Sequence, residues 1–175
     1  MSYLYSIDFS IGDNSVLRNL LRIYDKNPNI NFNEIDTITE KNGLHFCSEN
    51  LNVKSFFWLK DKGVPLYQQD KYGNTPIHHI LFEINKDIMD INIEENLKML
   101  KKTLESPLEI NFDLKNLRGE TILEVAKYTP YTKNIVENAF REKEILINKI
   151  KQKDINNKIK ENDFELDLND DFSFL

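Results

Sequence analysis

One short motif recurs along this chain at nearly fixed spacing, and it constrains the fold more than any other feature. Its clearest copy is the stretch DKYGNTPIHHIL, Asp70 to Leu81. An earlier copy reads NGLHFC from Asn42, and its Leu44 precedes the equivalent Ile77 by 33 residues. A period of roughly 20 to 50 residues is typical of a solenoid, because each repeat needs neighbours of the same shape to bury its apolar face. The chain is therefore predicted to be a stack of repeats.

A third, degraded copy of the motif follows at a longer distance. Residues 118–126 read RGETILEVA, with Ile in place of Pro and Glu in place of His. Leu123 comes 46 residues after Ile77, which exceeds the period by about 13 residues. Insertions in repeat proteins map to loops. We therefore predict an insertion in the polar, acidic stretch 82–96.

The motif resembles the G-x-T-P-L-H signature of the ankyrin repeat, a unit of about 33 residues that contains a β-turn and two antiparallel helices. The residues that match the signature are Gly73, Thr75, Pro76, His78, His45, Gly119 and Thr121. The resemblance implies an all-α ankyrin-repeat solenoid of three to four repeats with helical N- and C-terminal caps. In residue numbers, it implies a cap at about 1–35, repeats at about 36–69, 70–115 and 116–140, a capping helix to about 160, and a flexible acidic tail at 161–175.

Local signals predict where the helices begin. Thr75 can cap the first helix of the middle repeat, while Pro76 takes the first helical position, where its missing N–H costs no hydrogen bond. Apolar residues at helical spacing predict further helices at about 14–26, 52–62, 94–104 and 132–160. Glu40 stands where the middle repeat has Gly73, so the sequence does not predict the same left-handed turn in the first repeat.

The three histidines and the single cysteine are interpreted as structural groups. His45 and His78 occupy the H of the signature, where the ankyrin family uses the imidazole to hydrogen-bond backbone between neighbouring repeats. Cys47 stands where the family has a small buried Ala, and three histidines with one cysteine lack the paired spacing of a zinc site. The sequence contains no phosphate-binding loop, dinucleotide fingerprint or hydrolase motif. We therefore predict no enzyme activity, no catalytic residue, no cofactor and no metal.

The net charge of −6 is concentrated at one end of the chain. Residues 161–175 hold six carboxylates and no Lys or Arg, whereas the other 23 acidic residues are balanced by 23 Lys and Arg. A balanced body with an acidic tail repels phosphate, so no nucleic-acid partner is predicted. No stretch reaches the roughly 18 apolar residues of a membrane span, and the N-terminus lacks the basic region of a signal peptide. A cytoplasmic monomer without a membrane contact is expected.

The resemblance also implies where a partner protein binds. Ankyrin stacks meet their partners on a concave face made of turn tips and the exposed side of the first helices. The residues at these positions are Lys71, Tyr72, Asn74, Phe82, Glu83, Leu117, Arg118, Glu120 and Tyr128, preceded by Lys41, Glu49 and Asn50. Tyr and Arg are favoured at interface hot spots. Phe82 and Leu117 have a second interpretation, in which they pack against the irregular insertion.

These observations favour a non-catalytic protein-protein interaction module, namely a bacterial or viral effector, adaptor or inhibitor. A composition rich in Ile, Asn and Lys and poor in Arg and Ala is typical of an AT-rich genome. Acidic residues followed by a hydrophobic end resemble the tail signals of bacterial type IV secretion substrates. The tail therefore has three possible uses: docking on a basic surface of a partner, folding back on the lysines of the preceding helix, or acting as an export address for delivery into a host cell.

Two alternatives remain open. The first is an immunity or antitoxin protein that neutralises a basic toxic enzyme, with the acids from Glu161 to Asp171 mimicking those of its substrate. The second is an enzyme with a site in the insertion around Asp87, Asp90 and Glu94. The sequence offers no general base, nucleophile or cofactor motif to accompany that site.

Overall fold

The computed structural model describes residues 3–86 and 93–170, with side chains described up to residue 158. Within these residues the regular elements are all helical. The α-helices are α1 Asp13–Lys26, α2 Gly43–Glu49, α3 Val53–Asp61, α4 Pro76–Lys86, α5 Ile93–Leu104, α6 Ile122–Ala126 and α7 Pro130–Asp170, and the 3-10 helices are Tyr3–Ser6 and Pro107–Glu109. No described helix is both long and apolar enough to cross a membrane.

The helices form two rows of a stack. In the first row α2 packs on α4, and α4 packs on α6. In the second row α1 packs on α3 and α5 packs on α7, while the pairs α2–α3, α4–α5 and α6–α7 connect the rows. Each repeat is thus a turn followed by two packed helices, which confirms the predicted all-α solenoid.

The phase of the motif determines where the first-row helices begin. Helices α2, α4 and α6 start immediately after Asn42, Thr75 and Thr121, at spacings of 33 and 46 residues. Asn42 and Thr121 each form a capping box, in which the side chain accepts a hydrogen bond from the backbone N–H three residues later. Such a cap satisfies one N–H that the first helical turn leaves without a partner.

The core is continuous from the N-terminal cap to the beginning of α7. At the N-terminal end Phe32 lies edge-on to both Tyr3 and Trp58, with ring centroids 4.9 and 5.1 Å apart. A Cβ on Gly43 would collide with the Tyr3 hydroxyl. The N-terminal cap therefore fits closely on the first helix of the first repeat.

The predicted insertion is partly helical. Residues 82–86 complete α4, because Ile84 continues the apolar face of that helix and is only 1% exposed. Residues 93–96 belong to α5, whose first turn includes Glu94. The segment 87–92, with the candidate residues Asp87 and Asp90, lies outside the described residues. The stretch is therefore helical rather than a loop at residues 82–86 and 93, whereas the helix predicted from about residue 94 is present.

Helix α7 is longer than the predicted capping helix. Its backbone is helical to Asp170, beyond the predicted end near residue 160 and into the stretch predicted to be a flexible tail. The sequence has neither Gly nor Pro between residues 131 and 170, so no residue of the kind that ends helices interrupts it.

Candidate functional site

Three turns connect the repeats and line one side of the stack. In the middle turn (residues 70–74), Oδ1 of Asp70 accepts hydrogen bonds from the N–H groups two and four residues later, both at 2.9 Å. In the last turn (residues 116–120), Asn116 Oδ1 does the same at 2.9 and 3.0 Å. Gly73 and Gly119 follow in left-handed conformation, with φ of 76° and 78°. Glycine adopts this conformation without steric cost.

The first turn (residues 36–41) contains one more residue than the other two. Asp36 N–H donates to the carbonyl of Lys41 at 2.8 Å, five residues on, whereas Asp70 N–H donates to Asn74 O, four residues on. Glu40 nevertheless has φ of 59°, so it adopts the left-handed conformation that the sequence did not predict there. The clash that disfavours this conformation lies between Cβ and the residue's own backbone, so it is the hydrogen bonds of the turn that hold it, including the one from Glu40 N–H to Asp36 O at 2.8 Å.

Neighbouring turns are joined by hydrogen bonds across the stack. Lys71 N–H donates to Thr39 O at 3.0 Å, and Leu117 N–H donates to Tyr72 O at 2.8 Å. The side chain of Gln69 also donates to Lys115 O at 2.9 Å. These bonds align the tips of the three turns along one edge of the stack.

Two helices of the first row, α2 and α4, are each connected to the next turn by a histidine near the start of the helix. His45 Nε2 donates to Asn74 O at 3.0 Å, and His78 Nε2 donates to Glu120 O at 3.2 Å. In each histidine Nδ1 accepts from the backbone N–H three residues earlier. Because a carbonyl only accepts, Nε2 holds a proton in each histidine, and His78, whose Nδ1 accepts from Thr75 N–H, is neutral. Burial lowers the pKa of His45 to about 3 and the pKa of His78 to about 4, which agrees with that state.

A third histidine, His79, lies among carboxylates at the base of the concave side. Its Nε2 is 2.9 Å from Asp70 Oδ2, and its Nδ1 is 3.3 Å from Glu49 Oε1, which also pairs with Lys41. Burial opposes ionisation of Asp70, but hydrogen bonds from His79 and from the backbone N–H groups of Asn74 and Tyr72 outweigh it and lower its pKa to about 2. His79 therefore connects the middle turn to the end of α2.

Above His79 the concave side opens into a groove of about 610 Å³. Its apolar wall is made of Tyr72, Phe82 and Leu117, of which Leu117 is 78% exposed and Tyr72 is 55% exposed. The polar and charged residues that line it are Glu49, Asn74, His79, Glu83, Asn85, Lys86, Asn116 and Arg118. A concave surface with exposed aromatic and aliphatic side chains and a polar rim is suited to binding another protein.

The groove brings together six of the nine residues assigned to the concave face from the resemblance. These are Tyr72, Asn74, Phe82, Glu83, Leu117 and Arg118. Lys71 lies outside the groove, with its Nζ 5.2 Å from the centre of the Tyr72 ring. Glu120 and Tyr128 also lie outside; they are hydrogen-bonded to each other, and Glu120 accepts from Asn116 at 3.1 Å.

Of the three earlier residues, Glu49 lines the groove and Lys41 pairs with it, whereas Asn50 is exposed and donates to Phe46 O at 2.9 Å. Four groove residues were not predicted from the sequence, namely His79, Asn85, Lys86 and Asn116. Asn116 was detectable, because it stands 46 residues after Asp70, the same distance that separates the two helix caps.

The structure places the other chemical candidates away from the groove or apart from one another. Cys47 is fully buried, and burial raises the pKa of its thiol. Among the described residues, no three His, Cys, Asp or Glu side chains converge as metal ligands. Glu49 and Asp70 lie on opposite nitrogens of His79, so the three groups cannot bind one ion.

No protein-family model matches the sequence, and no curated protein is similar to it. Among solved structures, the ankyrin repeat domain of Bcl-3, a unique member of the IkappaB protein family, aligns with 71% of this chain at 14% identity and a TM-score of 0.53. The alignment covers 47% of that chain, so the present chain matches about half of its length.

A second structure is that of the predatory endopeptidase Bd0816 from Bdellovibrio bacteriovorus in complex with immunity protein Bd3460. It aligns with 74% of this chain and 94% of that chain, at 17% identity and a TM-score of 0.37, below that of a shared fold. The similarity to Bcl-3, the repeated turns and the two rows of packed helices show that this chain has an ankyrin-repeat fold.

Proposed function

We propose that this chain is a non-catalytic protein-binding module, an effector, adaptor or inhibitor whose partner occupies the concave groove. The observation that supports this most directly is the apolar wall of Tyr72, Phe82 and Leu117 beside the charged side chain of Arg118. Large side chains left exposed on a rigid surface stabilise the complex when a partner covers them. The hydrogen bonds between turns keep this surface preformed, which lowers the entropic cost of binding.

A pull-down tests the proposal. The full chain and two triple variants are immobilised, and each is exposed to host and bacterial lysates. The first changes Tyr72, Arg118 and Tyr128 together to alanine and should lose the partner. The second changes three exposed residues outside the concave face, Tyr67, Lys133 and Tyr131, to alanine and should keep it. If mass spectrometry shows that the first variant still retains the partner, the concave face is excluded as the binding surface.

The immunity-protein alternative depends on a different part of the chain. It is supported by the run of carboxylates from Glu161 to Asp171, which contains no basic residue. A full chain in which these acids are changed to the corresponding amides distinguishes the two functions. Loss of the partner from the amide variant alone would favour the immunity function, and loss from the Tyr72, Arg118 and Tyr128 variant alone would favour the module proposed above.

A further inference from the structure

Four ionisable side chains form a continuous series of contacts at the floor of the groove. Lys41 pairs with Glu49, Glu49 Oε1 lies 3.3 Å from Nδ1 of His79, and Nε2 of His79 lies 2.9 Å from Asp70 Oδ2. The side chain of Asp70 is fully buried, and that of His79 is only 10% exposed. Contacts between charges that are buried to this extent are screened little by salt and water. We call these four residues the groove-floor cluster.

The geometry of the cluster favours a positively charged ring at His79. A carboxylate oxygen only accepts hydrogen bonds, and one such oxygen lies beside each ring nitrogen. A neutral imidazole holds a proton on one nitrogen and a lone pair on the other, so it would direct that lone pair at a negative oxygen. An imidazolium ring instead has one proton for each carboxylate. With it, the cluster contains two cations and two carboxylates in alternation.

The groups around the cluster leave these two carboxylates to His79. The ring of His45 on α2 lies edge-on to it, with ring centroids 5.6 Å apart, and His78 precedes it on α4. Burial lowers the pKa of His45 to about 3 and that of His78 to about 4, so both rings are neutral at neutral pH. The other charged and titratable residues that line the groove are Tyr72, Lys86 and Glu83, which pairs with Lys86, and Arg118.

The cluster joins two parts of the molecule that border the groove. Oδ1 of Asp70 accepts the N–H groups of Tyr72 and Asn74 and so shapes the middle turn, while its Oδ2 lies beside His79. Glu49 is the last residue of α2 and lines the groove. An imidazolium ring donates to both carboxylates, whereas a neutral ring donates to one. Loss of a proton therefore breaks the connection between the middle turn and the end of α2.

We propose that His79 holds two protons at neutral pH and is a pH-sensitive connection at the floor of the groove, broken as the pH rises. For its consequence the inference rests on the proposed function: the partner should bind more tightly at neutral pH than in alkaline solution. An unfolded histidine has largely released its second proton above about pH 6.5. The folded chain therefore binds the extra proton, and this contribution to stability is present at low pH and is lost as the pH rises.

Nitrogen-15 NMR of the full chain at about pH 7.5 measures the charge of each ring, since a free imidazole is mostly neutral at that pH. His79 should show two protonated ring nitrogens. His45 and His78 should each show one, and they are the controls within the same spectrum. The His79→Gln variant identifies the signals of His79. A single protonated nitrogen on His79 at this pH overturns the inference.

Two amide variants test whether Glu49 holds the second proton. Glu49→Gln removes the charge beside Nδ1, so the His79 ring should lose its second proton at a pH lower by at least about half a unit. Glu109→Gln removes the same charge from an ion pair with Lys60, outside the groove, and should leave the titration of His79 unchanged. Identical titration curves for the wild type and Glu49→Gln also overturn the inference.

These measurements need no partner, so the two proposals can fail separately. If the His79 ring is neutral but an external partner is still lost from the Tyr72, Arg118 and Tyr128 variant, the proposed function stands and only this inference fails.

Discussion

The middle turn and the last turn have the same hydrogen-bonding pattern but different neighbours. Both begin with an Asp or Asn that accepts from the same two N–H positions, and both place a glycine at φ near 77°. The middle turn is bonded to another turn on each side. The last turn is bonded on one side, and α7 packs against α6 at the end of the stack.

The neighbours determine what each turn requires of its sequence. A Cβ on Gly73 would lie 2.9 Å from the backbone Cα of Asn116 in the adjacent turn, whereas a Cβ on Gly119 would meet no atom within 4 Å. Likewise His78 connects to the next turn, while Glu124 at the same position in the last repeat only caps α6, by accepting from Thr121 N–H at 2.8 Å. The strictest match to the repeat signature is therefore required where a repeat has neighbours on both sides.

Acidification should produce the largest loss of stability, and this loss comes from the first and middle repeats, which hold His45 and His78. Unfolding raises the pKa of His45 and His78 from about 3 and 4 to the ordinary value near 6.5. Below pH 6.5 the unfolded chain therefore binds protons that the folded chain does not. The stability is lost as the pH falls through 6.5, by roughly 3 kcal/mol for both histidines together between pH 6.5 and 5.

Urea unfolding at a series of pH values measures this loss. The variant with His45→Gln and His78→Gln should show a much smaller slope of unfolding free energy against pH over the same range. A slope equal to that of the wild type would mean that these two imidazoles are not the source of the acid sensitivity.

Substitution at the two glycines tests the effect of the neighbouring turn. Gly73→Ala should destabilise the protein by about 3 kcal/mol, because it adds a collision with Asn116 to the left-handed strain. Gly119→Ala should cost only about 1 kcal/mol, since it introduces the strain alone. Equal midpoints in chemical denaturation would show that the adjacent turn yields to the new methyl group.

Truncation of the equivalent capping residues should give a smaller difference. His78→Ala removes a bond to the next turn as well as a local one, and it should cost about 2 kcal/mol. Glu124→Ala removes half of a capping box, and it should cost about 1 kcal/mol or less. Thermal unfolding of the two variants, compared with Glu142→Ala at an exposed position of α7, measures both values.

The smallest predicted change in unfolding free energy is in the first turn, and there the substitution should stabilise the protein. Glu40→Gly should stabilise the protein by roughly 0.5 to 1 kcal/mol, because glycine relieves the left-handed strain but loses more conformational entropy on folding. Thr37→Gly, in the same turn, is the control and should not stabilise. An unchanged or lowered unfolding free energy for Glu40→Gly would indicate that the extra residue of this turn already relieves the strain.

The features that were predictable from the sequence are those that the repeat period determines. The phase of the motif places the starts of α2, α4 and α6, because Asn, Thr and Pro have definite preferences at a helix N-terminus. The turn at Glu40 was not predictable, because a non-glycine residue reaches a left-handed conformation only when its surroundings impose it.

The groove was predictable in its position but not in its full composition. The resemblance located Tyr72 and Arg118, because turn tips keep their positions within a repeat. Asn85 and Lys86 were missed, because the length of α4 depends on how far its apolar face remains covered by neighbours. His79 was missed, because its contact with Glu49 joins residues 30 positions apart in sequence, and no local pattern encodes such a contact.

The shortness of α6 bears on the order in which the stack folds. At five residues, Ile122–Ala126 is far below the roughly 12 residues at which an isolated helix becomes even marginally stable. It gains its stability from α4 on one side and α7 on the other. We therefore expect α6 to become ordered only after both α4 and α7 are in place.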